Sequence, residues 1–170
     1  DVLMVTCVGD DMFGRRALEN FTEHHVDPRQ VRVAAGVPNG VATILVEASS
    51  QNRILICKGA NDHLTPQTIQ EAAPDLEKCG LFVLQLEVPL PTVYAAINFA
   101  KDHGIKVLLN PAPATKALDM AQVCACDFFV PNETELAILT GRPTGTIPEI
   151  KKAAATLLDH GLKNIIVTMG

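Results

Sequence analysis

Short apolar runs alternate along the chain with segments in which apolar residues recur every three or four positions. The runs predict buried strands over residues 2–8, 81–86, 106–109, 127–130 and 164–168. The periodic segments predict helices over residues 11–24, 91–103, 133–140 and 148–160, and a glycine follows each of the last three. Strands that alternate with helices form βαβ units, so the pattern predicts an α/β fold with a parallel sheet flanked by helices.

Two β-rich runs, residues 40–47 and 53–58, interrupt this alternation and predict a hairpin. In the first run positions 42, 44 and 46 point to one face and positions 41, 43 and 45 to the other, and both faces are mostly apolar. Such a hairpin is marginal in water and needs a cover on each face. A ligand with the protein body would cover one face, and the same hairpin of a second subunit the other. The alternative is a hairpin tucked onto the main sheet.

Composition excludes several classes of function. The net charge is −5 at pH 7 and the basic residues are scattered, which argues against a nucleic-acid-binding surface and a polybasic membrane patch. No apolar run approaches the roughly 18–20 residues of a membrane span. The five cysteines, some of them within apolar runs, are more typical of buried thiols in a reducing compartment than of a disulfide framework. We therefore expect a cytoplasmic protein that binds neither nucleic acid nor membrane.

The segment Pro131–Glu135 follows a predicted strand and opens a predicted helix. Asn132 is a favourable N-cap, and Glu135 stands three residues later, where a capping-box carboxylate lies. The same side chains are expected at the carboxyl end of the sheet, where α/β folds bind ligands. There a carboxylate is able to hold Mg²⁺ through water beside nucleotide phosphates. Both interpretations stay open at this point.

Polar residues follow other predicted strands as well. Glu87 ends an apolar run, and either points to solvent or accepts hydrogen bonds from a sugar hydroxyl. Asn110–Ala114 is stiffened by its prolines, and the acidic pair in Gly9–Gly14 first indicates a helix start. The sequence contains no P-loop, nucleophile-elbow or zincin motif, which excludes those three enzyme classes.

Taken together, these segments resemble the ribokinase family of carbohydrate kinases over essentially the whole chain. The matching pieces, in order, are Val8–Gly14, Asn39–Ala42, Gly59–Asn61, Gln85–Glu87, Asn110–Ala114, Pro131–Glu135, Leu139–Gly141 and Ile166–Gly170. The resemblance implies a ribokinase-like α/β core over residues 1–30 and 62–170, with a β lid over residues 31–61. It also implies phosphorylation of the 5-hydroxyl of ribose by ATP, with Mg²⁺ and a monovalent cation as activators.

The resemblance also implies roles for individual residues. Glu87 would bond sugar hydroxyls, Ala42 and Ile44 would pack over the sugar, and Ile56 would reach the partner's sugar site in a homodimer joined through the lid. Asn132, Glu135, Thr168 and Gly170 would bind ATP, and Glu135 would also order Mg²⁺.

Related activities remain open, because the lid and segments outside residues 1–170 set the choice of sugar. The alternatives are a kinase for deoxyribose, fructose or adenosine, a non-catalytic α/β binding module, and a purely structural domain. The chain starts and stops on apolar runs, and the family's first sugar-binding segment and its Gly-Ala-Gly-Asp segment are not found in it. We therefore expect a central fragment whose catalytic Asp lies beyond Gly170 and which is inactive alone.

Overall fold

The computed structural model describes residues 1–46 and 52–169. The chain divides into two compact units, Asp1–Thr68 and Ile69–Gly170. Each unit contains parallel strands and helices, as the alternation of apolar runs and periodic segments predicts.

The first unit begins with a β-α-β arrangement made of β1 (Val2–Gly9), α1 (Met12–Glu23) and β2 (Val26–Ala34). β1 and β2 are parallel neighbours, and their register shifts between Leu3 and Val5. The apolar pattern does not predict β2, because charged residues and Pro28 interrupt it. Pro28 has no N–H to donate and falls within the register shift, which is where a strand accepts a proline.

Backbone packing fixes the start of α1 against the end of β1. A Cβ atom at Gly14 would lie 1.9 Å from the carbonyl oxygen of Gly9, so the helix approaches the strand more closely than any side chain allows. A 3₁₀ turn, Gly59–His63, packs against β1, and Cys7, Val8 and Ala60 are buried. Small residues such as Gly14 and Ala60 therefore allow α1 and the 3₁₀ turn to pack closely against β1.

The predicted hairpin is present as the antiparallel pair β3 (Val41–Val46) and β4 (Asn52–Cys57). Residues 47–51, which join the strands, lie outside the described residues. Val46 and Leu55 expose 71% and 63% of their surface. The hairpin is thus open on both faces, and the alternative in which it tucks onto the main sheet is wrong for the described residues.

The second unit contains the parallel sheet β5 (Leu81–Leu84), β6 (Lys106–Leu109) and β7 (Phe128–Phe129), in that spatial order. The strand predicted at residues 164–168 is reduced to two parallel bridges, which join Ile165 to Phe129 and Thr168 to Asn132. The short helix α2 (Pro66–Glu71) lies at the boundary between the two units. The helices after it are α3 (Ala73–Leu76), α4 (Leu90–Asp102), α5 (Met120–Val123), α6 (Glu133–Thr140) and α7 (Ile147–Asp159).

The long helices begin and end where their capping residues predict. α4 has a proline in its first turn and is followed by Gly104 at φ 68°, a left-handed conformation that glycine adopts without strain. Gly141 ends α6 in the same way. Phe129, Leu109, Ile97 and Leu136 are fully buried in the second unit, and truncating such side chains typically costs about 2–5 kcal/mol.

Asp127, which precedes β7, forms hydrogen bonds with β6 and with Lys163. Its Oδ2 accepts a hydrogen bond from the Val107 N–H at 2.9 Å, and its Oδ1 accepts one from Lys163 Nζ at 3.0 Å. Partial burial raises the pKa of the Asp127 carboxyl, but the Val107 N–H and the Lys163 ammonium outweigh it, so that the pKa lies below its usual value. The carboxylate therefore stabilises this strand in its ionised form.

The five cysteines are all free thiols. Of the three cysteines in or beside apolar runs, Cys7 is buried as expected, Cys124 is half-buried, and Cys57 on β4 is exposed. Cys126, which was not among them, is buried. Burial is the largest of the influences that raise the pKa of the Cys126 thiol to about 12. Among the helices of the described residues, none has the length and apolar character to span a membrane.

Candidate functional site

Hydrogen bonds between successive strands gather polar residues at the carboxyl edge of the second unit's sheet. The Asn110 N–H donates to the Leu84 carbonyl at 2.9 Å, and the Thr168 N–H donates to the Pro131 carbonyl at 3.0 Å. Asn110 directly follows β6, and Asn132 follows the end of β7 beside Thr168. Since the strands are parallel, these side chains share the edge at which α/β folds bind ligands.

The capping box predicted at residues 132–135 is present. The Glu135 N–H donates to Asn132 Oδ1 at 2.8 Å, and the Asn132 N–H donates to Glu135 Oε2 at 2.8 Å. Both residues are half-buried, and Pro131 before them is fully buried. The positions of the amide and the carboxylate are therefore fixed before any ligand binds, and the capping and ligand-binding interpretations are compatible.

The donors at this edge fit a magnesium ion that keeps most of its own water. Glu135 supplies a hard carboxylate oxygen, and Mg²⁺ is usually held by one or two carboxylates together with substrate phosphates. In the part of the chain that the structure describes, no cluster of three His, Cys, Asp or Glu side chains forms a metal cage. A single carboxylate such as that of Glu135 matches a cation held chiefly by substrate phosphates and water.

Glu87 and Asn110 extend the same edge toward β5. Glu87 is exposed just after Leu86, whose N–H donates to the Ala112 carbonyl at 2.9 Å. Oδ1 of Asn110 is buried and accepts no hydrogen bond within residues 1–46 and 52–169. An unsatisfied acceptor of this kind costs about 1–3 kcal/mol and calls for an explanation, which makes Asn110 a further candidate ligand-binding residue.

In the first unit, the hairpin brings together the three residues expected to cover a sugar. Ala42 pairs directly with Ile56 across the strands, and Ile44 lies two residues from Ala42 on the same face. Ile44 and Ile56 expose 58% and 48% of their surface. This face is therefore a free aliphatic surface with room for a ligand.

The base of the hairpin is held by the acidic motif after β1. Asp11 Oδ1 accepts hydrogen bonds from the Phe13 and Gly14 N–H groups at 3.0 and 2.9 Å and caps α1. Its Oδ2 accepts a hydrogen bond from the Asn39 N–H at 2.9 Å. The N–H groups of Asn39 and Gly14 are the largest influences that hold the pKa of Asp11 below its usual value. The sequence indicates the helix cap but not the contact with Asn39.

The structure therefore places Asn132, Glu135 and Thr168 together, Glu87 on the same sheet edge, and Ala42, Ile44 and Ile56 on one face of the hairpin. Gly170 lies outside the described residues. The sequence patterns do not indicate the unsatisfied oxygen of Asn110 or the contact between Asp11 and Asn39. The signal for Asn110 was present in the sequence, because it is a polar residue directly after a buried strand and before a proline.

Comparison with known proteins identifies the family. The signature of the pfkB family carbohydrate kinases matches residues 1–170. The deoxyribokinase of Salmonella typhi is 57% identical over 169 residues, and the ribokinase of Schizosaccharomyces pombe is 38% identical over 173. These matches cover 99% of this chain and 55% and 54% of the two relatives.

A solved structure of Arabidopsis thaliana ribokinase complexed with ribose and ATP superposes with a TM-score of 0.88 at 28% identity. That match covers 99% of this chain and 55% of the plant protein. The chain thus spans about half the length of the curated relatives it matches, and its fold is the ribokinase-like α/β fold. The chain belongs to the pfkB family of carbohydrate kinases.

Proposed function

We propose that this chain is part of a kinase that transfers the γ-phosphoryl group of ATP to the primary hydroxyl of a pentose, and that the preferred pentose is deoxyribose. One observation carries the choice of sugar: the deoxyribokinase of Salmonella typhi is 57% identical, against 38% for a ribokinase. The sequence motifs favour ribose as the substrate, whereas the sequence identities to the two relatives favour deoxyribose, an alternative that the sequence analysis leaves open.

The carboxyl edge of the second unit's sheet supplies the phosphate side of the proposed site. The Asn132 amide and the Glu135 carboxylate are held in place by their capping box, which avoids reorganisation when ATP binds. Bound Mg²⁺ supplies positive charge that neutralises phosphate oxygens, and Glu135 orders its water. Thr168, bridged to Asn132, lines the same edge.

Each of the two units supplies candidate residues for binding the sugar. The exposed Glu87 carboxylate accepts hydrogen bonds from sugar hydroxyls. Ala42, Ile44 and Ile56 pack over the sugar and exclude water, since a closed site prevents hydrolysis of ATP without phosphorylation of the sugar. In this assignment residues 31–61 are the lid, and residues 1–30 and 62–170 the kinase core.

The substrate assignment is tested with the full-length protein. ADP release is measured with Mg²⁺ and ATP in the presence of deoxyribose, ribose, fructose or adenosine. We expect the highest kcat/KM with deoxyribose. A higher kcat/KM with ribose refutes the sugar assignment, and activity with adenosine alone refutes the assignment to pentoses. Glu87→Gln is expected to raise the KM for the sugar, whereas Glu77→Gln, an exposed control, leaves it unchanged.

We also propose that the hairpin joins two copies of the protein. Its two faces are apolar and exposed, and a two-stranded sheet is not stable alone in water. Leu55→Lys charges the face opposite Ile44 and is expected to convert a dimer into a monomer in light scattering coupled to size exclusion. Leu158→Lys on α7 charges another exposed apolar residue and serves as the control. A wild-type monomer, or a Leu55→Lys dimer, refutes this arrangement.

A further inference from the structure

The base of the hairpin is a rigid joint between three segments. Asn39 precedes β3 by two residues and forms hydrogen bonds with the end of β1 and with Asp11. Its N–H donates to Asp11 Oδ2 at 2.9 Å, and its Oδ1 accepts from the Gly9 N–H at 3.0 Å. Its Nδ2 donates to the Gly40 carbonyl at 2.9 Å. The entry to the hairpin is thus tied to the end of β1 and the cap of α1.

The exit from the hairpin is tied to the same place by backbone packing. The Ala60 N–H donates to the Pro38 carbonyl at 2.9 Å. A Cβ atom at Gly59 would lie 2.4 Å from that carbonyl oxygen, and a Cβ atom at Gly9 would lie 2.3 Å from the Asn39 nitrogen. Contacts this short leave no room for a side chain, so both ends of the hairpin are fixed while its strands remain exposed.

Asp11 is the residue through which this joint and the helix cap are coupled. One carboxylate accepts three N–H groups, two through Oδ1 within α1 and one through Oδ2 at the hairpin. Its negative charge is also favourable beside the positive end of the helix. A side chain with a single acceptor oxygen would satisfy the helix but not the hairpin.

We propose that Asp11 is a positioning residue for the hairpin, which it orients over the sugar by holding Asn39 against the start of α1. The proposal rests on the proposed function of the hairpin as the lid of a pentose kinase. It assigns a function to the acidic motif Gly9–Gly14 beyond starting a helix. Asp11 itself is not placed in contact with the sugar or with ATP.

Asp11→Asn separates the two functions of this side chain. Asn retains an oxygen for the cap of α1, and it is as good an N-cap as Asp. It replaces Oδ2 with an NH₂ group, which meets the Asn39 N–H donor to donor. Asp119→Asn is the matched control, because Asp119 caps α5, in the second unit, through the Ala121 N–H at 2.9 Å.

Hydrogen exchange on the full-length protein tests the coupling independently of the substrate. In Asp11→Asn we expect faster exchange of the amides in β3 and β4, with unchanged exchange in β5 and β6, and in Asp119→Asn we expect no change in the hairpin. Unchanged exchange in β3 and β4 of Asp11→Asn overturns the proposal. Asp11→Ser, which also retains one cap acceptor, gives the same test if the Asn variant does not fold.

Steady-state kinetics on the full-length kinase test the consequence for the reaction. For Asp11→Asn we expect kcat/KM for the sugar to fall about tenfold while the KM for ATP stays within about twofold, because a displaced lid affects the sugar first. We also expect more ATP hydrolysed per sugar phosphorylated. A proportional loss for both substrates with unchanged coupling overturns the proposal. If the wild type phosphorylates no pentose, the proposed function fails, and hydrogen exchange still decides the role of Asp11.

Discussion

Replacing Glu135 by Gln separates its effect on stability from its effect on turnover. Gln retains an oxygen that accepts the hydrogen bond now made at 2.8 Å by the Asn132 N–H. The negative charge is lost, both from the N-terminus of α6 and from the proposed phosphate site. Glu135→Ala removes the charge and the hydrogen bond together.

The structure sets the expected magnitudes. Loss of a charge at a helix N-terminus costs about 0.3–1 kcal/mol, and loss of a capping contact costs about 1 kcal/mol more. For a protein of about 150–250 residues, 1 kcal/mol lowers Tm by roughly 2–4 °C, and the shift is smaller in a longer protein. Loss of one preorganised group that stabilises a transition state reduces kcat by about 10²–10³. We expect a loss of that order if Glu135 orders the water of Mg²⁺, so the catalytic effect exceeds the stability effect.

Thermal unfolding and kcat are measured side by side for the full-length kinase. Glu149→Gln is the matched control, because Glu149 makes the same capping box on α7, where the Thr146 N–H donates to its Oε2 at 3.0 Å. The two Gln variants should lose similar stability, and only Glu135→Gln should lose turnover. If Glu135→Gln keeps kcat near that of the wild type, Glu135 only caps the helix and the assignment is refuted.

Three further predictions concern the fold. Gly14→Ala should lower the free energy of urea unfolding by more than about 2 kcal/mol, because the new Cβ would clash with the Gly9 backbone. Gly104→Ala should cost only about 1 kcal/mol, because no other atom lies near its Cβ position. Equal losses in the two variants would contradict the packing of α1 against β1. The pKa of Asp127 is lowered in the folded protein, so the carboxylate stabilises the fold at pH values above its ordinary pKa of 3.8. This stabilisation is lost as the pH falls through the pKa of the folded state. Urea unfolding measured as a function of pH should show a smaller loss of stability at acid pH in Asp127→Asn than in the wild type. At pH 8, in the Leu55→Lys variant whose hairpin has no partner, a thiol reagent should modify the exposed Cys57 rapidly and the buried Cys126 only on unfolding. Fast modification of Cys126 in the folded protein would count against its burial.

The sequence predicts those elements whose signals are local. α6 matches its predicted bounds, and α1, α4 and α7 match within one residue, because capping residues, prolines and glycines mark their ends. β2 was not predicted, since its stability comes from pairing with β1 rather than from an apolar run of its own. The strand predicted at residues 164–168 is only two bridges, because apolar character does not determine whether a neighbour is in register.

In the candidate site, too, the sequence predicts contacts between residues close in the chain but not contacts between distant residues. Asn132 and Glu135 are recognisable from spacing, since a capping box depends on residues three apart. The contact between Asp11 and Asn39 joins residues 28 positions apart, and it depends on glycines that allow two backbones to approach. No pattern of apolar and polar positions contains that information. For Asn110, the sequence shows a polar residue after a strand, but only the structure shows that its oxygen is unsatisfied.

The open hairpin also has a consequence for the solubility of the protein. Val41–Val46 is a six-residue segment with high β propensity, no charge and no proline, which is the composition of aggregation-prone segments. In a two-stranded sheet its outer backbone groups form a free edge, and the charged gatekeeper Arg53 stands on the opposite strand. Whatever covers this hairpin therefore protects the protein from edge-to-edge aggregation as well as completing it.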